Sequence, residues 1–197
     1  MSNLYVDNIK ANSNWTGTEI AGNTVSPTGS ILQVTQALKT DIFTTTGGTQ
    51  GGATRDYGKF QLVPGLSGVM TPRSANNKIL CDLSVSIGAY YLCYGIVRCN
   101  GTIIAKGDRT GTHREGVTFQ TCGPVTWSGE FTDCTANTKI LYSPNTTSEC
   151  VFTLEVAGYS NSFEVSVNGH DIGGTNGDES AYPCNPVSTM TLFEIAG

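Results

Sequence analysis

The sequence predicts an all-β protein, an antiparallel β-sandwich of jelly-roll type behind an extended N-terminal arm. Three observations predict it. Apolar residues recur at alternate positions: Ile79, Cys81, Leu83, Val85 and Ile87 are interleaved with Asp82, Ser84 and Ser86. Period two sends successive side chains to opposite faces of a strand, so one face is apolar and the other polar. Turn signals recur about every ten residues, a spacing that fits a two-sheet sandwich or jelly roll. Glycine accounts for 24 of 197 residues, and no long helical period interrupts the pattern.

The elements follow in order. Residues 1–28 are polar, with Leu4, Val6 and Ile9 able to form one short strand and Trp15, Ile20 and Val25 scattered among Asn, Ser, Thr and Gly. Such a segment cannot bury enough apolar surface to fold alone, so a partner must order it. Pro27-Thr28-Gly29 marks the boundary with the second unit, residues 29–197. Ser30 to Thr46 reads as a strand because β-branched residues dominate it, and 47–57 as a Gly/Thr loop. Phe60 and Leu62, then Leu66 and Val69, flank Pro64-Gly65 and predict two short strands bent at a turn or bulge. The meander of residues 79–87, 91–99 and 102–105 forms the centre, with Asn100-Gly101 favouring a primed turn. Short strands are expected at 117–119, 125–131 and 139–142, with a turn at 132–138 between the last two. Residues 151–156 and 161–167 alternate clearly. A long loop, 168–186, precedes the final strand, 187–195. That strand carries apolar residues on both parities, which predicts burial on both sides and symmetric association to cover the surplus.

Composition removes several function classes. Charged residues are 14% and the net charge is −5, with no basic cluster, so no nucleic-acid partner is expected. No apolar run approaches the roughly 20 residues that span a bilayer, so no membrane insertion is expected. The opening MSNLYVDNIK lacks a basic n-region and an apolar h-region, so an ordinary secretory leader is not expected either. The seven cysteines, Cys81, Cys93, Cys99, Cys122, Cys134, Cys150 and Cys184, include no CxxC and no zinc-like Cys-His spacing. They sit in strand-like runs, as small buried apolar residues do, and read mostly as thiols of a protein made in a reducing cytosol. One or two bridges between neighbouring strands stay open, with Cys93 against Cys150 or Cys99 unranked.

The stretches SILQVTQALKTDIFTTT, LSGVMTPRSANNKIL, VRCNGTIIAKGD and VSTMTLFEIAG together resemble a family of bacteriophage virion proteins, common in cyanophages and other marine phages, that are tail-fibre or minor structural proteins. The resemblance covers about residues 29–197. Its most specific parts are Pro72 to Leu80, Arg98 with the Asn100-Gly101 turn, and Met190 to Gly197. Cys99 departs from the pattern, since members run straight from Arg to Asn-Gly; an extra residue there lengthens the hairpin or marks a bulge. The resemblance implies a homotrimeric jelly roll of the tumour-necrosis-factor or C1q kind, synthesis in a bacterial cytoplasm, and assembly on a virion. Its implied partners are other virion proteins and a glycan or protein of the host surface. Leu4, Val6, Ile9 and Trp15 are the candidate attachment residues of the arm. Met190, Leu192 and Phe193 are the candidate trimer contacts. A capsid-attached decoration protein of the same fold is the alternative reading.

Few residues invite chemistry. Arg109, His113 and Arg114 lie in the charged run GDRTGTHREG, and His170, Asp171 and Asp178 in the long loop. These are candidate receptor contacts; the plainer reading of both stretches is solvated surface. The GGTNGD run has neither the period nor the ligand spacing of a calcium repeat, so no metal or cofactor is expected. No GxSxG elbow occurs, and two histidines outside any motif do not make a triad. A carbohydrate-processing enzyme is the minor alternative, because paired carboxylates are recognised by distance and not by sequence. Tyr90, Tyr91, Tyr94, Tyr142, Tyr159 and Tyr182 are either sugar-stacking residues or, more simply, sandwich packing with hydroxyls at the rim.

Overall fold

A computed structural model describes residues 18–20, 23–25, 27–46, 56–89, 92–108, 116–122, 132–159, 164–169 and 186–197. In chain order its strands are β1 (Thr18–Ile20), β2 (Asn23–Val25), β3 (Ile31–Lys39), β4 (Phe43–Thr45), β5 (Gln61–Met70), β6 (Lys78–Ala89), β7 (Leu92–Cys99), β8 (Thr102–Ala105), β9 (Phe119–Cys122), β10 (Thr132–Tyr142), β11 (Cys150–Gly158), β12 (Val165–Val167) and β13 (Ser188–Ile195). A single 3₁₀ turn, Tyr57–Lys59, is capped by the Asp56 carboxylate, which accepts from Gly58 N. The strands β1 and β2 pair only with each other, as a small antiparallel hairpin inside the segment read as a polar arm.

The other strands form two antiparallel sheets. In the larger, β3, β13, β6 and β10 lie side by side, with β12 and then β4 continuing beyond β13 along the same side of β6. In the smaller, the order is β5, β11, β7, with both β8 and β9 against β7. The chain crosses between layers six times: β4 to β5, β5 to β6, β6 to β7, β9 to β10, β10 to β11 and β11 to β12. This is the double-sheet jelly roll that the alternation predicts. The inward parity of the two sheets fills one core. It holds Leu83, Val85, Ile87, Met190 and Leu192 from the larger sheet, and Leu66, Val97, Phe152, Leu154 and Val156 from the smaller. Each such side chain contributes about 1.5–3 kcal/mol by leaving water. At one side the two sheets close on each other, where Thr35 Oγ1 on β3 donates to Val69 O on β5 at 3.3 Å.

Five features differ from the sequence reading. The expected meander is split between layers: β6 lies in the larger sheet and β7 in the smaller, so only β7 and β8 pair as a hairpin. The expected turn at 132–138 is the first part of the 11-residue β10. Its apolar signal is faint because the inward positions carry small or polar side chains, Cys134, Ala136 and Thr138, yet all eleven residues find a register on β6. The stretch 30–46 is two strands, broken at Thr40–Ile42, where the partner changes from β13 to β12. The two strands expected around Pro64-Gly65 are one strand, β5, with a bulge there; Gly65 has φ +76, which glycine adopts without strain. The final strand is not buried on both sides: β13 alternates between fully buried and half-buried positions. The expected strand at 125–131 lies outside the described residues.

Two buried polar clusters hold the ends of the larger sheet. At one end Glu194 is fully buried on the parity of Met190 and Leu192. Its carboxylate accepts from Gln33 Nε2 at 2.8 Å, Arg73 N at 2.6 Å and Asn77 Nδ2 at 2.6 Å, and Asn77 Oδ1 accepts from Gly197 N at 3.1 Å. A buried charge is tolerable only when its lone pairs are met in this way. At the other end Asn168, with φ +61, bridges the junction of β12 and β13. Its side-chain amide donates to Lys39 O and Asp41 O, its Oδ1 accepts from Ser188 Oγ, and its backbone N donates to Ser86 O. Asn168 thus supplies the partners that a continuous ladder would have supplied.

Candidate functional site

The outer faces of the two sheets differ in how they are finished. On the smaller sheet, Tyr94, Ile96 and Ala157 point outward yet are buried, because Phe60 and the 3₁₀ turn fold over them with Tyr57, Leu92, Ile103, Val117 and Tyr159 alongside. On the larger sheet no such cover exists among the described residues. Register places Val34 beside Phe193, Phe193 beside Leu80, and Leu80 beside Leu141. This makes one apolar row across β3, β13, β6 and β10, with Ile31 and Ile195 paired next to it. Ile31, Val34 and Leu141 are 58%, 52% and 57% exposed. Four strands at about 4.8 Å spacing make the row roughly 15 Å long. Its open surface, roughly 300 Å², is on the scale of the largest apolar patch on an ordinary monomer.

The next row along the same face is polar. Gln36 Nε2 donates to Thr191 Oγ1 at 2.9 Å, Thr191 stands beside Asp82, and the Lys139 ammonium pairs with the Asp82 carboxylate. The polar row therefore separates the apolar row near Glu194 from Leu38 and Val187, which are exposed at the opposite end.

The charged loop after β8 has a well-defined stem. Gly107 N donates to Val117 O at 3.1 Å, and Thr118 N to Gly95 O at 2.9 Å. Thr118 Oγ1 donates to Ala105 O at 2.6 Å and accepts from Val97 N at 3.0 Å. It enters where the β7–β8 register slips between Val97 and Arg98; the extra residue is Ile104 on β8, and Cys99 pairs in register with Thr102. Gly107 and Gly116 cross so closely that a Cβ on Gly116 would lie 1.6 Å from Gly107 O, which only glycine permits. Tyr57 OH donates to Gly116 O at 2.6 Å, and Lys106 Nζ lies 5.5 Å from the Tyr57 ring centre. Arg98 Nε lies 2.9 Å from Glu155 Oε2, an ion pair whose angle is too bent for a hydrogen bond.

The predicted site residues fall unevenly. Arg109, His113, Arg114, His170, Asp171 and Asp178 lie outside the described residues, as do Leu4, Val6, Ile9 and Trp15. Of the three expected trimer contacts, Met190 and Leu192 are fully buried between the sheets of their own chain. They are core residues with no surface to offer, because their parity on β13 points inward. Phe193 is on the opposite parity and belongs to the open row. Sequence reasoning missed Val34, Leu80 and Leu141, whose membership of one row depends on cross-strand register. It also missed Glu194, although a carboxylate on the parity of Met190 and Leu192 was a readable signal.

Of the six tyrosines named as sugar-stacking candidates, Tyr94 is buried, Tyr159 packs beside it in the covered cluster, and Tyr142 packs edge-on against Phe152 with ring centres 6.2 Å apart; Tyr90, Tyr91 and Tyr182 lie outside the described residues. Among the described residues no group of three or more His, Cys, Asp or Glu could hold a metal ion, and no helix is long and apolar enough to cross a membrane. Burial pushes the Cys81 and Cys99 thiols up to about 12, and raises that of Cys93 as well. Asp41 is held below the usual carboxylate range, chiefly by its bond from Lys39 Nζ at 2.8 Å. Compared with known proteins, the chain matches no protein-family model and no curated protein.

Proposed function

We propose that this protein is a structural component of a bacteriophage virion, a tail-fibre or fibre-head module that associates as a homotrimer and meets the host surface through loops at the end of its jelly roll. The single observation that carries the reading is the contrast between a covered and an uncovered outer face. A chain that caps one sheet with its own Phe60 and Tyr57 while leaving Ile31, Val34 and Leu141 exposed around a half-buried Phe193 has a surface suited to a sister chain. The narrow stem at Gly107 and Gly116 supports a presenting role for the loop between them, since a rigid scaffold beneath a polar loop is a common arrangement for recognition. Individually weak loop contacts gain avidity by repetition on the particle. The N-terminal arm is the proposed attachment segment toward a neighbouring virion protein.

The test is localisation. Antibody-gold labelling of purified particles, with copy number from quantitative mass spectrometry, should place the protein on the tail in a low multiple of three. Several hundred copies spread over the capsid would replace this reading with the decoration role. Absence from purified particles would end both.

A further inference from the structure

The core holds thiols in two groups, and the structure ranks pairings that the sequence left open. Cys93 has Cys134 as its thiol neighbour. Cys99 and Cys150 are instead neighbours of each other. Cys99 is the last residue of β7 and Cys150 the first of β11. Phe152 stands opposite Cys99, so Cys150, two residues away on the same inward parity, is its diagonal neighbour on the adjacent strand. Cys99 has Cys150 as its thiol neighbour, and Cys150 Sγ donates to Ser148 O at 3.6 Å. Both are buried, at 4% and 1% exposure. Cys81 approaches Cys99 from the other sheet.

The chain on either side of this pair is clamped. Asn100 N donates to Val151 O at 2.9 Å, Asn100 Nδ2 to Glu149 O at 3.1 Å, and Val151 N to Asn100 Oδ1 at 2.8 Å. Asn100 therefore holds the ends of β7 and β11 in one register and keeps the sulfurs together. The pair sits at one end of β7 and β11, next to the bends at 146–148, where Thr147 and Ser148 are exposed. Local fraying there would uncover the thiols without separating the sheets.

We propose that Cys99 and Cys150 are a reversible disulfide site, closed by exchange with a low-molecular-weight disulfide when the protein passes from reducing to oxidising surroundings. One cysteine thiolate attacks the small disulfide and expels one small thiolate, leaving a mixed disulfide on the protein. The second cysteine thiolate attacks that protein sulfur, forms the Cys99–Cys150 bond and expels the other small thiolate. The two protons lost by the cysteines are taken up by the expelled thiolates. Two protein thiols are oxidised and one small disulfide is reduced. The bond would close a loop of about 50 residues across two strands that are already paired, stiffening the end of the fold after synthesis as thiols.

The full chain incubated with glutathione disulfide, alkylated and digested without reduction, tests this by mass spectrometry. The expected result is one bridged peptide pair, Cys99 with Cys150, and a rise in Tm of about 5–10 °C that dithiothreitol reverses. Cys99→Ser and Cys150→Ser should each abolish the rise, and Cys93→Ser should keep it. Should a serine variant fail to fold, the peptide map of the unaltered protein decides alone. A bridge to Cys81 or between other cysteines, a stable glutathione adduct on Cys99 or Cys150, or full alkylation of both after incubation would each overturn the proposal.

Discussion

The two outer faces of this sandwich solve the same physical problem in different ways. Every sheet has two faces, and in a two-layer fold only the inner ones meet. The smaller sheet hides its outward Tyr94, Ile96 and Ala157 under the chain's own 3₁₀ turn and Phe60. The larger sheet leaves an apolar row running from β3 to β10 open to solvent. The smaller sheet's face is covered by the chain itself over β7, while Leu62 and Val69 on its edge strand β5 stay 51% and 45% exposed. The larger sheet's row has no such cover among the described residues. If the proposed association covers it, the stability gained depends on concentration.

This contrast can be broken or sharpened by experiment. The largest effect belongs to the core that both faces share. Burial raises Cys81, Cys93 and Cys99 above the ordinary thiol value of 9.0. A raised folded-state pKa contributes stability that is fully present below the unfolded value and is lost as pH rises toward the folded one. With reductant present, stability should therefore hold to about pH 9 and fall above it by up to about 1.4 kcal/mol per pH unit for each thiol. Thermal unfolding followed by circular dichroism from pH 7 to 11 checks this; a flat Tm across that range would contradict the buried-thiol core. Next comes the covered face: Ile96→Ala should cost about 3 kcal/mol in urea unfolding, with the same midpoint shift from the unaltered protein at every protein concentration. Concentration dependence in that midpoint shift would place Ile96 at an interface and undo the contrast.

Glu194→Gln should cost about 2 kcal/mol, because an amide cannot accept from Gln33, Arg73 N and Asn77 together. Hydrogen exchange should speed up at Arg73, while the strands of the smaller sheet stay protected; a neutral substitution would show that the cluster does not hold that end. The smallest effect on the fold itself is expected from Leu141→Lys on the open row, under about 0.5 kcal/mol in the dissociated chain.

Much of the fold was legible because burial leaves a period-two trace, as in Ile79 to Ile87 on β6. Alternation fails where inward side chains are small or polar, and so β10, with Cys134, Ala136 and Thr138, reads as a turn. The open row was illegible for another reason. Val34, Leu80, Leu141 and Phe193 are far apart in sequence, and only strand order and register bring them together. Parity within β13 was visible, but which parity faces inward was not; that is why Met190 and Leu192, which face the core, were expected at an interface. Asn168 gave no sequence signal, since its role exists only where β12 succeeds β13.

The central claim is that the open face of the larger sheet is completed by sister chains. Sedimentation equilibrium of the unaltered protein from sub-micromolar to about 100 micromolar, beside Leu141→Lys, tests it most directly. The account predicts a trimer that dissociates on dilution, and a folded monomer for the variant across the same range. A folded monomer of the unaltered protein at every concentration, or a trimer that the lysine leaves intact, would contradict it.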